Sequence, residues 1–160
     1  MMDTASLISE IQSRPAQTIV CDRILVPIDG SPASMHAVEW AIDLASAADA
    51  ELTILMVIDY DAHISAFEQV SMSGYLPSEL KIAAYRFLAE LMHEIPRSVR
   101  AHTRVEEGDP GEVTVAVAAE EESHLIIMGS RGFGTFERIA FGSVSTYVTH
   151  HAHGPVLLVK

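Results

Sequence analysis

The chain has 160 residues, 49% of them apolar and 20% charged, with 9 glycines and 7 prolines, a composition outside the disordered and collagen-like ranges. Lys and Arg total 10 against 22 Asp and Glu, a formal charge of −12, which argues against binding bare nucleic acid or an anionic membrane. The single cysteine, Cys21, excludes an internal disulfide and a zinc site of paired thiolates, and the expected compartment is the reducing cytoplasm. A chain this long suits one domain, burying about 70% of the surface its unfolded form exposes. No apolar run approaches the roughly 18 residues a membrane span takes. Met1 to Arg14 carries Asp3 and Glu10 where a secretory signal would have a basic start and an apolar block.

The first twenty residues place Leu7, Ile8 and Ile11 on one possible face. They read either as a short docking helix or as a disordered extension, ahead of a single domain over residues 21–160. Five short apolar runs then alternate with four helical patterns, the signal of crossover units joining parallel strands. The first run is Arg23 to Ile28. A helix follows, opened by Ser31-Pro32 and carrying Ala37, Val38, Ala41, Leu44, Ala45 and Ala48 at helical steps. Leu52 to Ile58 is the second run. The connection from Asp59 to Pro77 is long for such a fold and carries no readable chemistry. A second helix follows Pro77-Ser78, with Leu80, Ala84, Phe87, Leu88, Leu91 and Ile95 on one face and Pro96 beyond its end.

The third run differs, because Val99, Ala101, Thr103 and Val105 alternate with polar residues. That pattern predicts a half-exposed strand near a sheet edge. Asp109-Pro110-Gly111-Glu112 has the form of a capping box for the third helix. Glu120-Glu121-Glu122 near the end of that helix reads as a solvated face, although the helix dipole disfavours acids there. Leu125 to Met128 is the fourth run, a last helix starts near Gly142-Ser143 and ends at about His151, and Pro155 to Val159 is the fifth run. The expected fold is α/β: a single doubly wound domain whose five-stranded parallel sheet has the order 3-2-1-4-5, with helices on both faces.

In such a sheet, ligands bind beyond the carboxyl ends of the strands where the strand order reverses, here between strands one and four. Asp29-Gly30-Ser31 follows strand one, and Gly129-Ser-Arg-Gly-Phe-Gly-Thr135 follows strand four. Gly129, Gly132, Gly134 and Gly142 permit positive backbone dihedrals and close approach. The helix start at Ser143-Val144-Ser145 offers unpaired N–H groups and positive dipole to an anion. Phosphates fit that chemistry. The hydroxyls of Ser130, Ser143 and Ser145 can add hydrogen bonds, and Arg131 is one of few cations placed to offset the negative field.

Gly129-x2-Gly132-x9-Gly142-Ser143, together with Ile24-Leu-Val-Pro-Ile-Asp29-Gly-Ser31, resembles the universal stress protein family, in the branch that binds ATP. The resemblance runs from about Arg23 to Lys160 and takes in Val57-Ile-Asp59, Gly108-Asp-Pro110, Leu125 to Gly132, His151-Ala152 and Pro155-Val156. It implies a fold like that of the adenine nucleotide alpha hydrolases. It assigns Asp29 to the adenine edge, with Pro27 and the backbone of Val57 completing the base pocket and Met128 as an apolar wall. Gly129, Ser130, Arg131, Gly132, Gly134 and Thr135 would wrap ribose and phosphates, and Ser143, Val144 and Ser145 would hold the phosphate tail. The implied ligand is ATP, with Mg2+ or Mn2+ held mainly through the phosphates. The implied role is a nucleotide-dependent sensor or adaptor in a stress response, the alternative being a slow ATP hydrolase or phosphotransfer protein. The resemblance also implies a homodimer through Pro155 to Val159, and that apolar last strand independently leaves an edge inviting pairing.

Other chemistries find less support. The turn after strand one has one glycine and lacks the Gly-x-Gly-x-x-Gly of dinucleotide sites, and no lysine lies between Gly129 and Ser145, as a Walker loop requires. Ser143 lacks the flanking glycines of a nucleophile elbow. Glu106, Glu107 and the terminal Lys160 do not make a phosphorelay receiver. His150, His151 and His153 suit a helix C-terminus better than a metal, since adjacent helical histidines diverge.

Overall fold

The computed structural model describes residues 3–13, 20–60, 76–132 and 141–160. Its strands are β1 (Arg23–Ile28), β2 (Glu51–Ile58), β3 (Arg100–Glu107), β4 (Leu125–Gly129) and β5 (Val156–Val159), and its helices α1 (Thr4–Ser13), α2 (Pro32–Ala48), α3 (Leu76–Glu94), α4 (Pro110–Glu120) and α5 (Ser143–His151). The strands form one sheet of order β3-β2-β1-β4-β5, parallel throughout. The chain builds outward from β1 to β3 and then crosses back to β4, so the order reverses between β1 and β4, where Ile24 lies opposite Leu125. Most of the connection after β2 lies outside the described residues.

Strand residues alternate between two cores. Ile24, Val26, Ile28, Leu52 and Ile54 pack with Ala37, Val38, Ala41 and Ala45 of α2 and Leu88 of α3. Leu25, Leu55, Ile126 and Met128 pack with Val117 of α4 and Val148 of α5. Period-two alternation on strands apolar on both sides therefore assigns α2 and α3 to one face and α4 and α5 to the other. β3 is an edge strand and only partly buried, as its polar alternation predicts.

The helix starts follow from local chemistry. Ser31 caps α2, its hydroxyl accepting from the Ser34 amide at 3.3 Å with Pro32 in the first turn, and Asp109 caps α4 by accepting from the Glu112 amide at 2.9 Å. α3 begins at Leu76, just before the expected Pro77-Ser78, because proline is tolerated in a first turn where its missing N–H has no helical partner. β5 begins at Val156, while the Pro155 carbonyl still accepts from the Ile126 amide at 3.1 Å. Residues 4–13 are helical, with Asp3 accepting from the Ser6 amide at 2.8 Å.

The acidic run at the end of α4 departs from a merely solvated face. Arg104 on β3 donates to Glu106, Glu120 and Glu121 at 2.6, 2.9 and 3.1 Å, and Arg23 reaches Glu122 at 3.3 Å. These bonds, that to Glu120 foremost, hold the Arg104 guanidinium above its ordinary pKa. Two cations thus answer the like charges that the helix dipole disfavours. No helix among the described residues is long and apolar enough to cross a membrane.

Candidate functional site

A cavity of about 770 Å³ opens at the carboxyl ends of the strands, across the point where the strand order reverses. The two expected segments meet in it. Pro27 and Asp29 line it from β1, Val57 from β2, and Met128, Gly129, Arg131 and Gly132 from β4 and the loop beyond. Gly142, Ser143, Val144 and Ser145 close it from the start of α5. Gly134 and Thr135 lie outside the described residues.

Gly129 and Gly132 act through closeness, and none of Gly129, Gly132 and Gly142 has a positive φ, against one half of the sequence expectation. A Cβ on Gly129 would sit 2.8 Å from the carbonyl carbon of Ala33 and 2.9 Å from the Ser34 nitrogen. Gly129 therefore lets the end of β4 rest against the first turn of α2. A Cβ on Gly132 would run into the carboxylate of Asp29. The left-handed conformation belongs instead to Gly30, at φ 81°, in the turn after β1.

Ser130 holds a hydroxyl without a hydrogen-bond partner among the described residues. It is 1% exposed and is not among the lining residues. Its amide donates to the Val159 carbonyl at 2.7 Å, and its carbonyl accepts from the Gly142 amide at 2.8 Å and the Ser145 hydroxyl at 2.9 Å. Ser130 thus ties β5 and the start of α5 to the end of β4. The Ser145 hydroxyl is likewise directed inward, to the carbonyls of Ser130 and Gly142. Of the three hydroxyls expected to face an anion, that of Ser143 alone is on an exposed residue.

Backbone amides are the more telling donors. Gly142 is the N-cap of α5 and supplies no side-chain cap, so the first-turn amides have no helical partner, and the residues that carry them line the cavity at the dipole's positive end. Across from them, one Asp29 oxygen accepts from the Ser31 amide at 2.9 Å, a turn bond, while the carboxylate abuts Gly132. Arg131 is the one cation among the described lining residues, against Asp29 and Asp59. The arrangement brings the start of a helix and a carboxylate into one cavity.

Comparison with known proteins decides the family. The Universal stress protein family model matches residues 21–160. The chain belongs to the universal stress protein family. Universal stress protein MJ0531 of Methanocaldococcus jannaschii is 32% identical over 151 residues, covering 86% of this chain and 81% of that protein. The solved structure of the hypothetical protein MJ0577 superposes with a TM-score of 0.77 at 27% identity, covering 89% of this chain and 97% of that one. A universal stress protein solved in complex with cAMP superposes with a TM-score of 0.63 at 25% identity, covering 85% and 94%.

Within this family fold, sequence reasoning missed one wall of the cavity. Met56, Ile58 and Asp59 of β2 and its end, Leu80, Ala83, Ala84 and Phe87 of α3, and Pro110 and Thr114 of α4 all line it. The signal was available in part, since side-chain parity sends Met56 and Ile58 to the opposite face from Val57. Beside this wall, Lys81 of α3 donates to Glu107 at the end of β3 at 2.8 Å, and Tyr60 donates to the same carboxylate. Lys81 foremost holds the Glu107 carboxyl below its ordinary value, and Glu107 raises Lys81 in return. The helical histidines stand apart: His151 donates through Nδ1 to the Tyr147 carbonyl at 2.8 Å and stacks on its ring. No group of three His, Cys, Asp or Glu among the described residues is placed to hold a metal ion.

Two predictions follow from these contacts. Gly129→Ala should lower stability by about 1–3 kcal/mol, the usual effect of overpacking against backbone, whereas Gly132→Ala should leave the unfolding midpoint nearly unchanged and displace Asp29. Urea titrations of both variants check this, and equal losses would contradict the assignment. The depressed Glu107 pKa makes its contribution to stability full above the ordinary carboxyl value of 4.5 and lost as pH falls through the lower folded value. The raised Lys81 pKa makes its share full below 10.5 and lost at still higher pH. The difference in urea midpoint between wild type and Lys81→Met is therefore present at neutral pH and shrinks as the pH falls below 4.5, and a difference constant down to strong acid would refute it.

Proposed function

We propose that the cavity binds ATP and that the protein acts as a nucleotide-dependent sensor or adaptor in a stress response, in the ATP-binding branch of its family. The observation carrying this reading is the pairing, inside one cavity, of unpartnered first-turn amides of α5 with the carboxylate of Asp29. Amides and helix dipole suit phosphate oxygens. A carboxylate suits the exocyclic amino group of adenine, which guanine replaces with a carbonyl. Pro27, Val57, Met128 and Val144 supply apolar surface for a base on the α4 and α5 face. Binding of cAMP by a universal stress protein of the same fold supports an adenine nucleotide as the ligand class.

Mg2+ or Mn2+ would be carried mainly by the phosphate oxygens, since the described protein groups include no clustered set of ligands. Bound there, the ion would neutralise phosphate charge that Arg131 alone does not balance. In this reading the side chains of the site hold and orient the ligand; among the described residues none forms the nucleophile–base pair that group transfer uses.

Asp29→Asn separates recognition from folding, because its amide oxygen can still accept from Ser31 while its NH2 now opposes the adenine amino group. Equilibrium dialysis should show ATP affinity falling about tenfold or more, equivalent to about 1.4 kcal/mol, with the preference for ATP over GTP lost. Unchanged affinity and preference would remove Asp29 from the site. Steady release of ADP from wild type, abolished in Asp29→Asn, would move the reading to a slow hydrolase.

We further propose that β5, paired on one side only with β4, meets the β5 of a second copy about a two-fold axis. Sedimentation should return twice the 17.4 kDa chain mass; a species of single-chain mass at micromolar concentration would exclude the dimer.

A further inference from the structure

We infer that the cavity has a second compartment, on the α2 and α3 face of the sheet, which takes a neutral apolar small molecule alongside the nucleotide. The inference extends the nucleotide reading and rests on it only for the identity of the neighbour.

The division comes from strand parity. Val57 and Met128 belong with the core under α4 and α5, while Met56 and Phe87 pack against the core under α2 and α3. All four line the same cavity. A flat base against Val57 and Met128 therefore lies on the far side of the strand ends from Met56 and Phe87, and one rigid ring does not reach both walls. The wall of the second compartment is built from Met56, Ile58, Leu80, Ala83, Ala84 and Phe87. Its helical members fall at three- and four-residue steps of α3, one stripe of that helix turned toward the strand ends.

The chemistry of this wall selects its occupant. Of the described residues lining the cavity on this face Ser34 alone carries a hydrogen-bonding side chain, and its hydroxyl donates to the Ser31 carbonyl at 2.9 Å, so a charged ligand would lose its hydration without replacement. The nearest ammonium, Lys81, is held by Glu107 at 2.8 Å. Asp59 at the rim and the net charge of −12 repel anions. Met56 and Phe87 offer polarisable and aromatic surface. A cavity of 770 Å³ is in the upper part of the roughly 300–1,000 Å³ range of small-molecule sites, room for a nucleotide and a second, ring-sized group.

The probe is N-phenyl-1-naphthylamine, an uncharged dye that brightens in apolar surroundings, titrated into the full chain with and without saturating ATP and Mg2+. Saturable binding of one dye per chain is expected in both conditions. Ala83→Phe places bulk in the compartment from an exposed position and should weaken dye binding at least tenfold. If that variant does not fold by circular dichroism, Leu80→Gln, which makes the same wall polar, should give the same loss. The pair Ile82→Ser and Tyr85→Ser, on exposed α3 positions 57% and 53% accessible, should leave dye binding intact. Dye retained and sensitive to Ala83→Phe without any ATP binding would sustain the compartment and overturn the nucleotide reading. Displacement of the dye by ATP, loss on the Ile82 and Tyr85 changes, indifference to Ala83→Phe and Leu80→Gln, or no dye binding would each overturn the inference.

Discussion

The closeness of β4 to the first turn of α2 sets the geometry of everything around the cavity. Gly129 allows this contact because any Cβ there would press on the backbone of Ala33 and Ser34. One residue on, Ser130 fixes the outgoing chain with bonds to Val159, Gly142 and Ser145. The start of α5 is thereby held on the same frame as the end of β4, and it lines one cavity with Asp29. Backbone groups placed in this way lose little freedom when a ligand arrives, which is the advantage of preorganisation.

Much of this arrangement was legible because it depends on backbone rules that short sequence patterns expose. Continuous apolar runs marked the central strands, the alternation of Ala101, Thr103 and Val105 marked the edge strand, and Ser31-Pro32 and Asp109-Pro110 marked helix starts. Parallel strands with helical crossovers then leave few topologies, and the crevice between β1 and β4 follows from the order. The meeting of Asp29 with the Gly129 to Gly132 segment and the start of α5 was thus readable from residues a hundred positions apart.

Side-chain direction was less legible. Ser145 belongs to a pattern whose hydroxyls could face a ligand, yet its hydroxyl bonds the Ser130 and Gly142 carbonyls and ties β4 to α5, contacts no local pattern encodes; the buried Ser130 hydroxyl has no partner among the described residues. The α3 wall was hidden for a related reason. Leu80, Ala84 and Phe87 read as core positions, and only the height of α3 along the sheet decides whether that stripe ends in the core or at the cavity. Lys81 and Glu107 help set this height by joining α3 to the end of β3, across 26 positions of sequence. The pairing of Glu120 and Glu121 with Arg104 escaped notice similarly, because it depends on β3 lying beside the end of α4.

Charge gives the proposed site its remaining logic. A cradle of amides at a helix start presents about half a positive charge, and Arg131 adds one more within a lining that also holds Asp29 and Asp59. In a chain of net charge −12, such a cradle does not neutralise a triphosphate. In the proposed ATP complex affinity would then depend on the cation that travels with the phosphates, and selectivity on the shape and hydrogen bonding of the base. A lysine in the loop would raise affinity for phosphate of any kind. Its absence between Gly129 and Ser145 would, in the proposed complex, leave discrimination to Asp29, whose carboxylate lies against Gly132 and accepts from the Ser31 amide.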